Sequence, residues 1–242
     1  MTGKCVLVTG GARRIGRAIA LAMASAGANV AFTYLSSAKD ARQTLSDLKA
    51  FGVPALAVRC NVCKEKSIAA ALRRVRASFG GLDVLINNAG AYDTIDFERI
   101  TARQWDAMFA TNTRGPFLTS RLAAPLLRTR KGRIVNIASL GGQRPWASHA
   151  HYCSSKAALI MLTQVMAKAL APEISVNCVS PGMISTGSSQ PTAFLHHVAR
   201  KTPMKRAGMP AEVAAAVMFF ASGPHFITGQ VLGVDGGLGL ES

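Results

Sequence analysis

Three polar side chains near the middle of the chain have the types and spacing for acid–base chemistry. Tyr152 and Lys156 are four positions apart, so on a helix they lie on one face, one turn from each other. A free tyrosine has a pKa of about 10, and a neighbouring ammonium stabilises the phenolate and can move that value toward neutrality. Ser139 stands thirteen positions before the tyrosine. If it lies at the end of an adjacent strand, its hydroxyl could hold a substrate oxygen. A Tyr-x-x-x-Lys pair alone is common on solvated helices, so this interpretation depends on the rest of the chain.

A glycine-rich turn near the N-terminus predicts a dinucleotide site. The apolar, β-branched run 5–9 predicts a buried strand, and a helical pattern begins at Ile15. Gly10, Gly11 and Gly16 therefore lie in a strand-to-helix turn, where backbone N–H groups can hold a pyrophosphate. The strict Gly-x-Gly-x-x-Gly spacing is absent, so a tight turn without a ligand is the alternative.

The end of the second predicted strand, 29–33, favours NADP over NAD. An acidic residue at this place would bind the ribose 2′-hydroxyl of NAD, but none occurs before Asp40. The basic and polar side chains predicted to lie nearby are instead Arg13, Arg14, Tyr34, Ser36 and Ser37. Because cations and hydroxyls suit a 2′-phosphate, we predict NADP(H); the alternative is that both arginines are simply solvated.

Strand patterns recur between helical stretches along the chain, which indicates one α/β domain. After the first two strands, further strands are predicted at 55–59, 83–86, 133–137, 175–178 and 230–234. This alternation predicts a Rossmann-like, doubly wound parallel sheet of about seven strands, with helices on both faces. We expect a single dinucleotide-binding and catalytic domain over 1–242, within which the polar region 186–209 forms a substrate lid.

A series of motifs resembles the short-chain dehydrogenase/reductase superfamily, in family order and over nearly the whole chain. They are Thr9-Gly10-x-x-x-Arg14-x-Gly16, Asn87-Asn88-Ala89-Gly90, Asn112, Ser139, Tyr152-x-x-x-Lys156, Pro181-Gly182 with Thr186, and Asp235-Gly236-Gly237. The resemblance implies NADPH-dependent reduction of a small-molecule carbonyl substrate to an alcohol. Tyr152 would be the proton donor and Ser139 the donor to the developing alkoxide. Lys156 would also bind the nicotinamide ribose, and Asn112 would hold a water behind the lysine.

The resemblance also implies further contacts to the cofactor. Besides the residues already named, they are Ile15, Asn61, Val62, Asn88, Ala89, Gly90, Pro181, Gly182 and Thr186, the last three near the nicotinamide. Asn61 replaces an aspartate that often contacts the adenine, and its amide can still accept a hydrogen bond. We expect the substrate wall to comprise residues that flank the motifs, namely Tyr92, Gln143, Trp146 and Met183.

Two departures within the superfamily leave other functions open. Most members have glycine where this chain has Arg14, and arginine there, together with the segment 170–177, resembles the pteridine reductase-like branch. Those reductases usually carry aspartate at the position of Ser139, so the serine favours reduction of a simple carbonyl compound over reduction of a pterin. Reduction of a dihydropterin is the alternative activity, and a catalytically idle NADP-binding regulator is the alternative from another class.

Charge limits the expected partners. The formal net charge is +16, with basic clusters at 73–76 and 128–133. Such faces are usually solvated, but they could attract cofactor phosphates, an acidic carrier protein or nucleic acid. Aromatic residues do not interleave with the basic ones, so nucleic acid is not expected. By resemblance we expect a homo-oligomer, a tetramer or a dimer, which pairs through the helices around 102–125 and 150–170.

The sequence predicts neither a membrane span nor a metal site. No apolar run reaches the length of a membrane span, and the first strand begins at Cys5, which leaves no room for a signal peptide. Five cysteines in a chain of this size suit reduced thiols, so we expect a cytoplasmic protein. Cys60 and Cys63 have the spacing of a metal-binding pair but lack a second pair of ligands.

Overall fold

The described residues, 1–186 and 192–240 of a computed structural model, form one parallel sheet of seven strands. The strands are β1 (Cys5–Val8), β2 (Asn29–Tyr34), β3 (Ala55–Arg59), β4 (Val84–Asn87), β5 (Arg133–Ile137), β6 (Ser175–Pro181) and β7 (Val231–Val234). Their order in the sheet is β3-β2-β1-β4-β5-β6-β7, and each neighbouring pair is parallel. The predicted Rossmann-like, doubly wound sheet is confirmed.

Helices cover both faces of the sheet. One face packs against α1 (Arg14–Ser25), α2 (Ala38–Lys49) and α8 (Pro210–Ser222), and the other against α3 (Glu65–Phe79), α5 (Gly115–Arg128) and α6 (Ala150–Leu170). The side chains of β1 alternate between the two layers, because Val6 and Val8 join the first core cluster and Leu7 joins the second. Both clusters are apolar, as expected for a parallel sheet that is buried on both faces.

An irregular turn interrupts the helix that is predicted around 102–125. α4 (Ala102–Phe109) starts at a capping box between Thr101 and Gln104, and a π-helical turn over Ala110–Arg114 then leads into α5. Pro116 has no N–H group, so it cannot donate the regular helical bond to the carbonyl of Asn112. The wider turn places Asn112 at the inner side of the helix, where its side chain is fully buried.

The strand order creates a crevice at one edge of the sheet. The chain runs from β1 outward to β3 and then returns to β4, which pairs with the opposite side of β1. The loops that follow β1 and β4 therefore diverge, and ligands of such sheets bind in the gap between them. The residues predicted to do chemistry follow the carboxyl ends of β1, β4, β5 and β6.

Part of the predicted lid, 186–209, lies outside the described residues, namely 187–191. The described part contains α7 (Thr192–Lys201), and a bridge between Ile184 and Gly208 closes the base of the segment. Its role as a lid stays a prediction. Among the helices that the structure describes, none combines the length and the apolar character that a membrane crossing requires.

An apolar outer surface remains on the helices that are predicted to pair. Met161 and Val165, one turn apart on α6, are 59% and 53% exposed, and Phe117 on α5 is 42% exposed. Leu159 and Met166 of α6, in contrast, are buried in the core of the same chain. Exposed apolar side chains at helical spacing favour contact with a second copy.

We predict that the purified protein is a dimer or a tetramer, and that Met161→Glu combined with Val165→Glu reduces its size. The new carboxylates would be desolvated at an apolar interface, which is unfavourable. Light scattering should give a multiple of 25.4 kDa for the wild type and a smaller multiple for the double variant. Phe51→Glu, which changes an exposed aromatic residue outside these helices, is the matched control. A stable 25.4 kDa wild-type monomer at micromolar concentration would contradict the prediction.

Candidate active site

A cleft of about 750 Å³ opens at the carboxyl ends of the central strands. Ser139, Tyr152 and Lys156 line it. So does every residue predicted to contact the cofactor: Gly10, Arg13, Arg14, Ile15, Gly16, Tyr34, Ser36, Ser37, Asn61, Val62, Asn88, Ala89, Gly90, Tyr152, Lys156, Pro181, Gly182 and Thr186. One continuous cleft thus joins the glycine-rich turn to the acid–base residues.

Two predicted site residues do not line the cleft. Asn112 lies behind it, fully buried. Of the predicted substrate wall, Tyr92, Trp146 and Met183 line the cleft, whereas Gln143 accepts a hydrogen bond from the Ser180 hydroxyl at 2.8 Å. The structure therefore does not bring the Gln143 side chain to the cleft with the other three.

The glycine-rich turn has the close packing that a phosphate cradle requires. Gly10 has a φ of +66°, and a Cβ at this position would lie 2.9 Å from the Cα atom of Ala89. A Cβ at Gly16 would collide with the carbonyl of Gly10 and the side chain of Asn88. Glycine at both positions lets the N-terminus of α1 approach the sheet edge, where its N–H groups favour an anion.

Hydrogen bonds from Thr9 and Asn88 join the two loops that border the cleft. The Thr9 hydroxyl accepts from the backbone N–H groups of Asn88 at 2.9 Å and Ala89 at 3.0 Å. In return, the side-chain amide of Asn88 donates to the carbonyls of Thr9 at 2.9 Å and Gly10 at 3.0 Å. The glycine-rich turn and the loop after β4 therefore form one rigid unit.

Arg13 and Arg14 provide cations beside the end of β2. Both are exposed and line the cleft with Ser36 and Ser37, and no carboxylate of the described residues forms an ion pair with either arginine. Arg14 has a φ of +51°, in the left-handed region that favours glycine. The backbone geometry thus explains why glycine suits this position, and the arginine adds a charge there at a conformational cost.

Helix α6 positions the tyrosine and the lysine, and the end of β5 positions the serine. The Lys156 ammonium, 5% exposed, donates to the carbonyl of Ile137 at 2.8 Å and lies 6.0 Å from the centre of the Tyr152 ring. Ser139 accepts from the N–H of Gly141 at 3.1 Å, and its side chain lies close enough to Tyr152 to lower the pKa of the phenol. The three predicted catalytic side chains therefore meet at one place.

Burial controls the protonation of these groups. It raises the pKa of Tyr152 to about 12, and the side chain of Ser139 opposes this rise only in part. Burial also lowers the pKa of Lys156 to about 8. The expectation that the lysine moves the tyrosine pKa toward neutrality is thus wrong for the chain without ligands, because both groups are removed from water. Tyr152 keeps its proton at neutral pH, as a proton donor must.

Asn112 holds together the elements behind the lysine. Its side-chain oxygen accepts from the N–H of Ala91 at 2.8 Å, and its amide donates to the carbonyl of Ala91 and the hydroxyl of Ser155, both at 3.0 Å. The Ser155 hydroxyl in turn donates to the carbonyl of Tyr152 at 2.7 Å. The side chain of Asn112 thus connects the loop after β4 to α6, and the water-holding role stays a prediction.

The cleft also contains residues that the sequence did not indicate. They are Ala12, Thr33, Leu35, Cys60, Cys63, Ala91, Thr111, Ile137, Ala138 and Ile184. All of them border a predicted site residue by one or two positions, which is a signal that could have identified them. Leu35 and Ile184 are apolar, so their residue type gave no further indication of a ligand contact.

Comparisons with known proteins agree with this geometry. The family model described as enoyl-(acyl carrier protein) reductase matches residues 10–239. The 3-oxoacyl-[acyl-carrier-protein] reductase FabG of Staphylococcus aureus (strain N315) is 37% identical over 240 residues, which cover 97% of this chain and 98% of that protein. The 3-oxoacyl-[acyl-carrier-protein] reductase of Synechocystis is 35% identical over 242 residues and 98% of both chains.

Solved structures extend the likeness to three dimensions. A short-chain dehydrogenase/reductase from Serratia marcescens superimposes with a TM-score of 0.93 at 36% identity, over 98% of both chains. A blue fluorescent protein from a metagenomic library, solved in complex with NADPH, gives a TM-score of 0.91 at 31% identity, also over 98% of both chains. The sheet and the helices therefore have counterparts in proteins of known structure.

We predict that the buried lysine makes the protein more stable as pH rises from 8 to 10. The folded-state pKa of Lys156, about 8, is lower than the ordinary value of 10.5, so over this range the unfolded chain binds more protons and folding gains stability. Between pH 8 and pH 10 the free energy of unfolding should increase by on the order of 2 kcal/mol more in the wild type than in Lys156→Met, whose side chain does not titrate. Urea unfolding of both cofactor-free proteins at pH 8 and pH 10 gives this double difference. Equal pH dependence of the two proteins would contradict the burial of a titrating lysine.

Proposed function

Because the chain belongs to the short-chain dehydrogenase/reductase family, we propose that it reduces a carbonyl substrate to an alcohol with NADPH. One observation carries this proposal: Ser139, the protonated Tyr152 and the buried Lys156 line one cleft with the glycine-rich turn. A proton donor, a hydrogen-bond donor for an oxygen and a cation are the groups that carbonyl reduction needs.

Each catalytic side chain has a separate role in the proposed reaction. When bound, NADPH supplies the hydride. Tyr152 gives its proton to the carbonyl oxygen, and Ser139 donates a hydrogen bond to the negative charge that develops on that oxygen. Lys156 stabilises the phenolate that Tyr152 becomes when it gives up its proton. Asn112 connects α6 to the loop after β4 through its hydrogen bonds with Ala91 and Ser155.

The residues of the cleft fit NADPH better than NADH. Gly10 and Gly16 bring N–H groups to a pyrophosphate, and Arg13 and Arg14 are free of carboxylate partners within the described residues. Guanidinium groups bind phosphate with charge-assisted hydrogen bonds, whereas the 2′-hydroxyl of NADH would require an acceptor at the end of β2. The NADPH bound to the metagenomic relative supports the same choice.

A 3-oxoacyl thioester is the first substrate class to test. The names of the bacterial relatives specify 3-oxoacyl groups on an acyl carrier protein, and such a group offers a ketone for reduction. A serine rather than an aspartate at position 139 also favours a ketone over a dihydropterin, because a hydroxyl orients a carbonyl but does not relay a proton to a ring nitrogen.

The proposal is tested by following NADPH absorbance with ketones, 3-oxoacyl thioesters, quinones and dihydropterins. Tyr152→Phe keeps the ring and removes the acidic proton, so it should nearly abolish turnover while NADPH affinity stays close to that of the wild type. A variant that retains a tenth or more of the wild-type rate would exclude the proton-donor role. Absence of turnover with every carbonyl compound would favour the idle regulator.

Ser139→Ala should lower kcat by about 10²–10³, as does the loss of one hydrogen-bond donor to a developing oxyanion. Ser139→Asp should raise the ratio of dihydropterin to ketone reduction, since a carboxyl group can relay a proton. The measurement is kcat/KM for both substrates in all three proteins. A wild type that prefers a dihydropterin to every ketone would show that the pteridine reductase interpretation is the better one.

Arg14→Gly should weaken the binding of NADPH about tenfold or more and leave the affinity for NADH within twofold of the wild-type value. A charge-assisted hydrogen bond contributes about 1.5–3 kcal/mol, and glycine suits the backbone at this position, so the loss would not reflect misfolding. Arg13→Ala should have the same direction of effect. Arg128→Ala removes an exposed charge outside the cleft and serves as the control. Equal losses for NADPH and NADH would show that these arginines do not distinguish the 2′-phosphate.

A further inference from the structure

Aromatic rings surround Tyr152 at the substrate end of the cleft. Tyr92 meets Tyr152 edge to face, with ring centres 4.9 Å apart and planes at 83°. The ring of Trp146 is nearly parallel to that of Tyr152, at 14°, with centres 6.3 Å apart. Tyr92 and Trp146 line the cleft, and Tyr92 is 61% exposed. A large ring that is left uncovered inside a cleft is a candidate contact for a ligand.

Hydrogen bonds through His149 hold the uncovered ring in place. The Tyr92 hydroxyl lies 2.7 Å from Nε2 of His149, and the Thr94 hydroxyl lies 3.0 Å from the same nitrogen. On the other side of the imidazole, Nδ1 is 3.2 Å from the Ser148 hydroxyl. His149 also packs edge to face against Trp146, with centres 5.5 Å apart. Because these rings are ordered before a ligand arrives, binding costs less conformational entropy.

The wall around Tyr152 is uncharged. Among the described residues that line the cleft, the charged side chains are Arg13 and Arg14, beside the end of β2, and Lys156, which is buried against the carbonyl of Ile137. Burial lowers the pKa of His149, and the neighbouring His151 lowers it further, while Asp93 acts in the opposite direction. The lowered pKa favours a neutral imidazole, so the described residues beside Tyr92 and Trp146 offer no cationic partner for a carboxylate or a phosphate on the substrate.

We infer that Tyr92 and Trp146, held by His149 as a positioning residue, select a carbonyl compound whose carbonyl carbon bears a flat aromatic ring. This inference rests on the proposed carbonyl reduction and favours an aryl ketone over the 3-oxoacyl thioester that the names of the relatives suggest. A flat ring gains edge-to-face or offset contacts with these side chains beyond the area that it buries, whereas a flexible chain loses rotational freedom when it enters. In the reaction, the carbon–oxygen π bond breaks as hydride reaches the carbon and the Tyr152 proton reaches the oxygen. The ketone is reduced and NADPH is oxidised to NADP⁺.

Acetophenone and 2-octanone test this inference as a matched pair, because both are methyl ketones of eight carbons that differ in the flat ring. We expect the wild type to show a kcat/KM at least tenfold higher for acetophenone. Trp146→Leu and Tyr92→Leu should each lower the ratio of acetophenone to 2-octanone three- to tenfold. Phe51→Leu, which removes an exposed ring outside the cleft, should leave the ratio unchanged. Two separate wall variants keep the test valid if one of them fails to fold.

The role of His149 has its own readout. His149→Ala should raise KM for acetophenone about threefold or more with kcat within twofold, and His149→Gln, which can still hydrogen-bond the Tyr92 hydroxyl, should restore most of the KM. A loss of thermal stability without this split between KM and kcat would show that His149 is merely structural.

The remaining outcomes separate the inference from the proposed function. Reduction of 2-octanone or a 3-oxoacyl thioester in preference to acetophenone would overturn the aromatic selection alone, as would equal losses for both ketones in the leucine variants. Failure to reduce these three compounds and every other carbonyl compound of the wider screen with NADPH would overturn the proposed function, and the inference with it.

Discussion

The burial of the Lys156 ammonium is the constraint on which the rest of the site depends. A charge that is removed from water is unfavourable unless polar groups surround it, and the carbonyl of Ile137 at the end of β5 provides one such group. This bond fixes how deeply α6 lies across the sheet edge, and thereby the position of Tyr152 one turn earlier. The lowered pKa of Lys156 shows that the desolvation is only partly offset. A bound group that brings oxygen atoms to the ammonium would stabilise its charged form.

The sheet could be predicted from the sequence because its central strands are short apolar runs that are buried on both faces. Val84, Leu85 and Ile86 illustrate this, since they alternate between the two core clusters and no position faces water. Contacts between distant segments could not be predicted in the same way. The partners of Asn112 stand 21 and 43 positions away, and they reach it only because a π-helical turn before Pro116 rotates the side chain inward.

The spacing of Tyr152 and Lys156 predicted their proximity but not the sign of the pKa shift. Helical spacing determines which residues share a face, whereas desolvation depends on what the tertiary structure places over that face. Here the short 3₁₀ turns at Leu140–Gly142 and Ala147–His149 and the loop between them stand before α6, and burial of the tyrosine outweighs the effect of its neighbours on its pKa. The aromatic wall has the same origin, because Tyr92 and His149 are 57 positions apart and meet through two loops. The reacting groups thus stand on regular elements, while the wall that would choose the substrate belongs to loops.

Part of the strong positive charge of the chain is engaged in contacts within the fold. In the cluster at 128–133, Arg130 forms an ion pair with the buried Asp83, and Arg133 donates to the carbonyl of Phe220. These two guanidinium groups stabilise contacts between secondary-structure elements and are therefore less available to an acidic partner. Arg13 and Arg14 differ, because they line the cleft and no carboxylate of the described residues pairs with them. These two charges stand beside the predicted 2′-phosphate site and are well placed to attract the phosphates of the cofactor.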